Sequence, residues 1–274
     1  MKRDLTTLVI ITALLPAVVL AAGDASKRAA SPLAAPTMVQ IAPSSFAMGH
    51  PYGTTGSQRK NEAPQQDVDL PGFAIMRDEV TVGQWVEFLE KVGGWMAWHR
   101  LQPVNFAGGH FGAAVAVDEP IRGVDWAAAR AFCRWHGLDL PSEAQWERAA
   151  RGTQEGIVLY PWGDTNPTCG HANLNDGLAA CAPGPRPVGS HADGASSEGV
   201  NDLSGNVAEW VRDWYGRYKA GYQDNPKGPE TGVYRVIRGG GYVSKSNRAL
   251  TTSRDYARPK TRSPELGFRC AKGP

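Results

Sequence analysis

The residues of this 274-residue chain whose types could do covalent or metal chemistry are few: Ser244 beside Lys245, six histidines and four cysteines. Ser244 with Lys245, or with a distant histidine, offers a hydroxyl nucleophile and a base. No Gly-x-Ser-x-Gly elbow surrounds it to expose the hydroxyl on a strained strand-to-helix turn, so Ser244 reads as a polar lining residue. Gly239-Gly-Gly241 lacks the spacing and the Lys-Ser/Thr ending of a phosphate-binding loop. The histidines, His50, His99, His110, His136, His171 and His191, form no close two-His-plus-carboxylate group of the kind that holds non-haem iron. His99 and His110, which flank Leu101-Gln-Pro-Val-Asn-Phe106, are the pair that could meet in space. Cys133, Cys169, Cys181 and Cys270 allow three connectivities if all are oxidised. Zinc is the rival reading, but there is no Cys-x-x-Cys pair and no spaced histidine to accompany one.

Composition narrows the partners. Hydrophobic residues make up 42% of the chain, enough for a core, and the formal net charge is +2 with Lys and Arg scattered. No basic stripe marks a nucleic-acid surface. Lys2 and Arg3, the apolar run Leu8 to Leu20 and the small residues of Leu20-Ala-Ala-Gly-Asp-Ala25 read as an export signal cleaved near Ala22, covering residues 1–22. The run is shorter than the roughly 20 residues of a membrane span, so a retained anchor is the weaker reading and no span is expected after cleavage. No cysteine sits at the cleavage site for lipidation. Residues 23–36, small and polar with two prolines, form a flexible linker. A periplasmic or secreted protein is therefore expected, and such compartments favour disulfides.

The elements that must position the chemistry begin near Thr37. Met38-Val-Gln-Ile41, Phe46-Ala-Met48 and Phe73-Ala-Ile-Met76 read as short strands, with Pro43-Ser-Ser45 as a turn. Thr81-Val-Gly-Gln84 and Ser142-Glu-Ala-Gln145 are capping boxes, each opening a helix. Val82, Trp85, Val86 and Leu89 form the apolar stripe of the first helix. The second runs from Glu143 to about Arg151, with Ala144, Trp146 and Ala150 for packing. A third runs from Trp126 to about His136 with Asp125 as N-cap. Residues 152–232 are rich in Gly, Pro, Asn and Asp, yet Trp162, Trp210, Trp214, Tyr215 and Tyr218 argue for ordered, irregular structure that needs staples.

Nine segments in order resemble the formylglycine-generating enzyme (sulfatase-modifying factor) family. They include Phe46-Ala-Met-Gly49, Asp78-Glu-Val-Thr81, Pro120-Ile-Arg-Gly-Val-Asp-Trp126, Leu138 to Gly152, Tyr160-Pro-Trp-Gly163, Ala172-Asn-Leu174, Gly199 to Trp210, Arg238-Gly-Gly240 and Gly267-Phe-Arg-Cys270. The resemblance implies an α+β fold in a single sulfatase-modifying-factor domain over residues 37–274, C-type-lectin-like and low in regular secondary structure. It pairs Cys133 with Cys270, which leaves Cys169 and Cys181 as a local loop. It also implies calcium. Asp202 and Glu209 with the carbonyls of Gly205 and Val207 make an all-oxygen set that suits Ca²⁺. A second calcium would draw on Asn173 and the Leu174 carbonyl, with Asp176 as a substitute ligand.

The catalytic members of that family use two cysteines that bind copper(I), a soft-metal chemistry that hydroxyls do not supply. Ser244 stands at the first cysteine position, and the second falls in a shortened stretch near Asn247 and Arg248. Gly241 replaces the family's active-site serine, and Glu265 its asparagine before Leu-Gly-Phe-Arg. Copper and canonical formylglycine generation are therefore not expected. Iron, used by a sulfoxide-synthase branch with a further helical domain, is the poorer reading. The expected cleft of Gly241, Ser244, Asn247, Arg248, Arg254 and Glu265 is polar, and Arg248 or Arg254 could meet a carboxylate. Two functions follow from the resemblance. One is oxidative maturation of a peptide or peptide-derived substrate, like the periplasmic branch of the family in pyoverdine maturation. The other is a non-catalytic module that holds a periplasmic partner protein, such as an accessory regulator of a secretion system.

Overall fold

The computed structural model describes residues 36–51, 61–92, 106–107, 110–111, 116–154, 156–176 and 180–273. The export signal, almost all of the linker and His99 lie outside the described residues. In chain order the elements are β1 (Met38–Ile41), β2 (Ser44–Met48), β3 (Gln66–Leu70), β4 (Phe73–Met76), α1 (Val82–Lys91), β5 (Phe106–Ala107), β6 (His110–Phe111), α2 (Trp126–Trp135) and α3 (Glu143–Arg151). There follow β7 (Ala208–Trp214), β8 (Gly221–Asp224), β9 (Arg235–Arg238), β10 (Asp255–Ala257), β11 (Leu266–Phe268) and β12 (Ala271–Lys272), with 3-10 turns at Ala192–Gly194 and Ser246–Arg248.

The capping residues set all three helices. Thr81 and Ser142 each accept from the backbone N–H three residues on, and Gln84 and Gln145 return the bond to the cap. Asp125 accepts from Ala128 N–H at 2.9 Å. Each cap satisfies donors that the first helical turn leaves without an intrahelical partner. The stripe of α1 differs by one residue from expectation: Phe88 is buried and Val86 only half-buried. The reason is aromatic packing, since Phe88 meets Phe132 of α2 edge-to-face with ring centroids 5.3 Å apart. The expected turn Pro43-Ser-Ser45 is shorter than its sequence suggests, because β2 already begins at Ser44.

Helix α3 departs most from the sequence reading. All nine of its residues are buried, Glu143, Glu147, Arg148 and Arg151 included. A helix hydrophobic on one face would leave these in water. Here each finds an ion-pair partner: Glu143 with Arg254, Glu147 with Arg238 and Arg151, and Arg148 with Glu198. Buried charges persist when they are paired and hydrogen-bonded.

Four small sheets carry the strands, in the orders β1-β4-β12, β10-β9-β7-β11, β2-β3-β8 and β5-β6. In the four-stranded sheet β7 pairs parallel with β11 and antiparallel with β9, so Glu209 lies between Gly267 and Arg238. One apolar cluster gathers Trp85, Phe88, Phe132, Trp210 and Phe268 under α1 and α2. A second gathers Val68, Ile75, Trp146, Val211 and Val236 under α3. The Cys133–Cys270 disulfide, with a Cα–Cα distance of 5.5 Å, closes a sequence separation of 137 residues within the first cluster. The Cys169–Cys181 disulfide closes a loop with a separation of 12. All four cysteines of the chain are thus oxidised, and none offers a thiolate.

Candidate active site

A cavity of about 330 Å³ lies over one end of the four-stranded sheet. Its lining comes from the end of β9 (Arg238), the following Gly239-Gly-Gly241, the start of β7 (Ala208), all of β10 and the start of β11 with Glu265 before it. The chain can turn away from β9 here because Gly239 and Gly240 take φ of +86° and +67°. A side chain would be strained at both positions, and a Cβ at Gly240 would meet the Arg248 carbonyl oxygen at 3.1 Å. The turn is then fixed by two reciprocal bonds. Ser244 N–H donates to the Gly241 carbonyl at 2.7 Å, and Gly241 N–H donates to Ser244 Oγ at 3.0 Å. The Ser244 carbonyl in turn accepts from Asn175 N–H at 2.8 Å, which docks the loop of the local disulfide against the cavity wall.

Five of the six expected cleft residues line this cavity: Gly241, Ser244, Arg248, Arg254 and Glu265. Asn247 is exposed on the 3-10 turn and is absent from the lining. Arg254 does not serve as an open anion-binding group. Its guanidinium is held bidentately by Glu143 at 2.6 and 2.8 Å and donates to the Asn61 and Gly216 carbonyls at 2.7 and 3.1 Å. It also stacks 3.9 Å from the Tyr218 ring centroid. The other arginine expected to meet a carboxylate, Arg248, has a half-exposed side chain and touches only Asp255, at 3.5 Å, among the ion pairs of the described residues.

Beneath the cavity sit charges that are all paired, two carboxylates shared among three guanidiniums. Arg238 is fully buried and joins Glu147, the Ser253 carbonyl at 2.5 Å and, at 3.7 Å, Glu143. Burial pushes the Glu143 carboxyl up, but the Arg254 and Arg238 guanidiniums outweigh that and hold it below the ordinary carboxylate range. Glu265 is the contrast. Half-buried at the rim, it has no cationic neighbour strong enough to offset desolvation, so burial raises its pKa. A carboxyl with a raised pKa facing a cavity is suited to take and return a proton.

The calcium ligands inferred from the sequence lie at the start of β7 and in the loops that precede it. Asp202 and Asn206 take φ of +56° and +55°, and Gly205 takes +87°, so the loop curls around the Asn173 carbonyl, which a Cβ at Gly205 would meet at 2.5 Å. Asp202 Oδ2 accepts from Gly189 N–H at 2.6 Å. Glu209 is fully buried, and both of its oxygens accept from Arg269, at 2.6 to 3.0 Å, while Oε2 also accepts from Trp146 Nε1 at 2.9 Å. As arranged, Glu209 is the partner of Arg269 and not an open ligand. Asp176 is exposed and accepts from Ser246 N–H at 2.7 Å. The Leu174 carbonyl accepts from Cys181 N–H at 3.1 Å.

Sequence reasoning missed one member of this cluster. Glu79, wholly buried, accepts from Asn206 Nδ2 at 2.7 Å and Val207 N–H at 3.1 Å. Desolvation and the charges of Asp202 and Glu209 push its carboxyl well above its usual range, against Arg269. Burial raises Asp202 too, against the Gly189 N–H and Arg269. Three carboxylates thus face one guanidinium. Asn173 Oδ1 is buried with no hydrogen-bond donor, and Asn173 Nδ2 donates to the Gly184 carbonyl at 2.9 Å. Asn173 Oδ1 and the second oxygens of Asp202 and Asp176 therefore fit a hard cation, whereas both oxygens of Glu209 are engaged. No three His, Cys, Asp or Glu side chains converge on one point among the described residues, so an ion here would draw on backbone carbonyls. The signal for Glu79 was present in Asp78-Glu-Val-Thr81, but nothing in its spacing tied it to Asp202.

Fold and cleft together define an α+β, C-type-lectin-like scaffold with a glycine-turned cavity at the end of a mixed sheet. The profile of the sulfatase-modifying factor enzyme 1-like domain matches residues 22–274, and the chain belongs to that formylglycine-generating-enzyme-like family. It is 31% identical over 294 residues to the formylglycine-generating enzyme of Streptomyces coelicolor, covering 89% of this chain and 91% of that one. It is 32% identical over 240 residues to the hercynine oxygenase of Mycobacterium tuberculosis. The chain spans only part of some relatives: 55% of that oxygenase, and 36% of a Chlamydia trachomatis protein named serine/threonine-protein kinase Pkn1. Among solved structures it is similar to PvdO from Pseudomonas aeruginosa, with TM-score 0.69, 26% identity, and 87% and 95% of the two chains covered.

Proposed function

We propose that this protein is exported to the periplasm or beyond and oxidises a peptide or peptide-derived substrate in the cavity beside Glu265, without thiolate–copper chemistry. The observation that carries the reading is the Glu265 carboxyl, raised by burial, at the rim of a cavity whose floor charges are already paired with one another. A relative named for oxidative chemistry, the hercynine oxygenase, supports the class of reaction. The two disulfides suit an oxidising compartment. In this reading the substrate loses two electrons and two protons, Glu265 accepts one of the protons at the reacting atom and passes it on, and dioxygen takes up both electrons and both protons and leaves as hydrogen peroxide. Arg248 orients a substrate carboxylate. Oxygen uptake by the purified chain over a panel of peptides tests this: uptake with matching peroxide should fall at least about 100-fold in Glu265→Gln, the range of general acid–base catalysis.

A binding module using the same cavity is the second reading. It is favoured by Ser244 and Arg254, whose polar atoms serve the fold instead of facing a substrate unpaired. Saturable peptide binding without oxygen uptake, lost in Arg248→Glu and kept in Glu265→Gln, would select it.

We further assign Ca²⁺ to the loops around Asp202 and Asn173, with the carbonyls of Gly205 and Val207 completing its shell. Bound there, the ion supplies fixed positive charge between segments that otherwise repel. Asp202→Ala should lower the melting temperature in calcium and change it little in chelator, since a ligand stabilises only the state that binds it. Equal losses in both media would remove the assignment.

A further inference from the structure

A second cavity, of about 250 Å³, lies behind the first, and Arg254 contributes to both linings. The Glu143–Arg254 pair is therefore a shared wall. Nothing in the oxidative reading uses this space. Its sides are apolar: Met48, Trp214, Pro226 and Pro229. Its polar groups fall into two sets. Inside are Asp213, Gln66 and Gln223, which can donate or accept hydrogen bonds. Around the opening are Arg217, Lys219 and Lys227, all exposed, and among the described residues none of the three has an ion-pair partner. Elsewhere the cations that line cavities are engaged, as Arg254 is by Glu143 and Arg248 by Asp255. Three unmatched cations around an apolar cavity select by charge sign and by apolar area together.

We propose that this cavity is a binding site for a small amphipathic anion, an aryl or short acyl group bearing a carboxylate or sulfonate. The apolar part fills the space between Trp214, Met48 and the prolines, and the anionic head sits among Arg217, Lys219 and Lys227. Size sets the upper limit, because pockets for drug-sized ligands run roughly 300–1,000 Å³. A single ring or a short chain fits and a fused polycycle does not. Asp213 suits such a ligand despite being acidic. Burial and the neighbouring Glu143 charge push its carboxyl up to about 7, and its Oδ2 accepts from Glu143 N–H at 3.0 Å. Near neutral pH it holds a proton part of the time, so the interior presents less negative charge to the ligand than an ordinary aspartate would. The site does not depend on the chemistry assigned to the Glu265 cleft.

Calorimetric titration of the full chain with 4-phenylbutyrate, 4-phenylbutanol and 4-phenylbutylamine tests the proposal. The carboxylate should bind saturably at one site, at least tenfold more tightly than the alcohol, with affinity falling as salt rises. The amine should not compete. Lys219→Glu with Lys227→Glu should weaken carboxylate binding at least tenfold, and either exposed substitution alone keeps the test open if the double variant folds poorly. Gln223→Trp, which fills the cavity from β8, should abolish binding at an unchanged melting temperature, and Arg248→Glu in the other cavity should leave the affinity unaltered. Equal binding of alcohol and carboxylate, no saturable binding, or loss in Arg248→Glu with retention in the lysine variants would overturn it.

Discussion

The floor and the rim of the cleft are built from the same residue types in opposite states. In the floor, Glu143 and Glu147 meet Arg254, Arg238 and Arg151, all buried, and each guanidinium is oriented by carbonyls or carboxylates. At the rim, Arg248 and Asp255 keep side chains more than half exposed, and Glu265 has burial without a counter-charge. On the proposed reading, that difference separates the groups that react from those that hold the fold. Matched buried charges are rigid and costly to disturb, whereas groups with spare valence at the edge of a cavity are free to meet a substrate.

That contrast can be broken experimentally, beginning in the floor. Glu147→Ala leaves the Arg238 guanidinium buried without its main partner and should destabilise the fold by about 3–5 kcal/mol in urea unfolding. A loss below ~1 kcal/mol would mean that the floor is not rigidly matched. Asp213, next to that network, gives a pH signature. Its folded carboxyl titrates at about 7 against an ordinary value of 3.8, so the folded state holds the proton more tightly than the unfolded one. Stability should fall as pH climbs from ~4 to ~7, by up to ~4 kcal/mol, because each pKa unit is worth ~1.36 kcal/mol. Asp213→Asn should flatten that slope, as read from unfolding midpoints across pH.

Opening the local loop with Cys169→Ala and Cys181→Ala should cost less, ~3 kcal/mol by loop-closure entropy, than opening Cys133–Cys270, nearer ~5 kcal/mol for its longer loop. Thermal unfolding of the two double variants ranks them. The smallest expected effect on stability is at the rim. Arg248→Ala should change unfolding by less than ~0.5 kcal/mol, as for an exposed ion pair, while raising the substrate concentration needed for half-maximal rate.

Much of this architecture was legible in the chain. The three helix starts follow from Thr81, Asp125 and Ser142, because capping is local chemistry decided within four residues. The cleft followed from Arg238-Gly-Gly240 and Leu266-Gly-Phe-Arg-Cys270. Strand β7 was not legible: Glu209, Arg212 and Asp213 interrupt its apolar pattern, and only long-range partners explain why Glu209 and Asp213 are buried. The same holds for α3, whose charged residues look solvent-facing until Arg238 and Arg254, about 90 and 110 positions later, are folded against them. Pairing across such separations leaves no periodic trace. The role of Arg254 was misjudged for that reason, since a lone arginine near a cleft gives no sign that Glu143 already holds it.

The central claim is that the rim performs the reaction while the floor only holds it in place. Oxygen uptake by the wild-type chain and by Glu265→Gln, measured with the same peptide and with copper content determined on the same samples, tests it most directly. The account predicts uptake without stoichiometric copper in the wild type, and its loss in a variant whose melting temperature is unchanged. Uptake that survives Glu265→Gln, or that tracks bound copper, would contradict it.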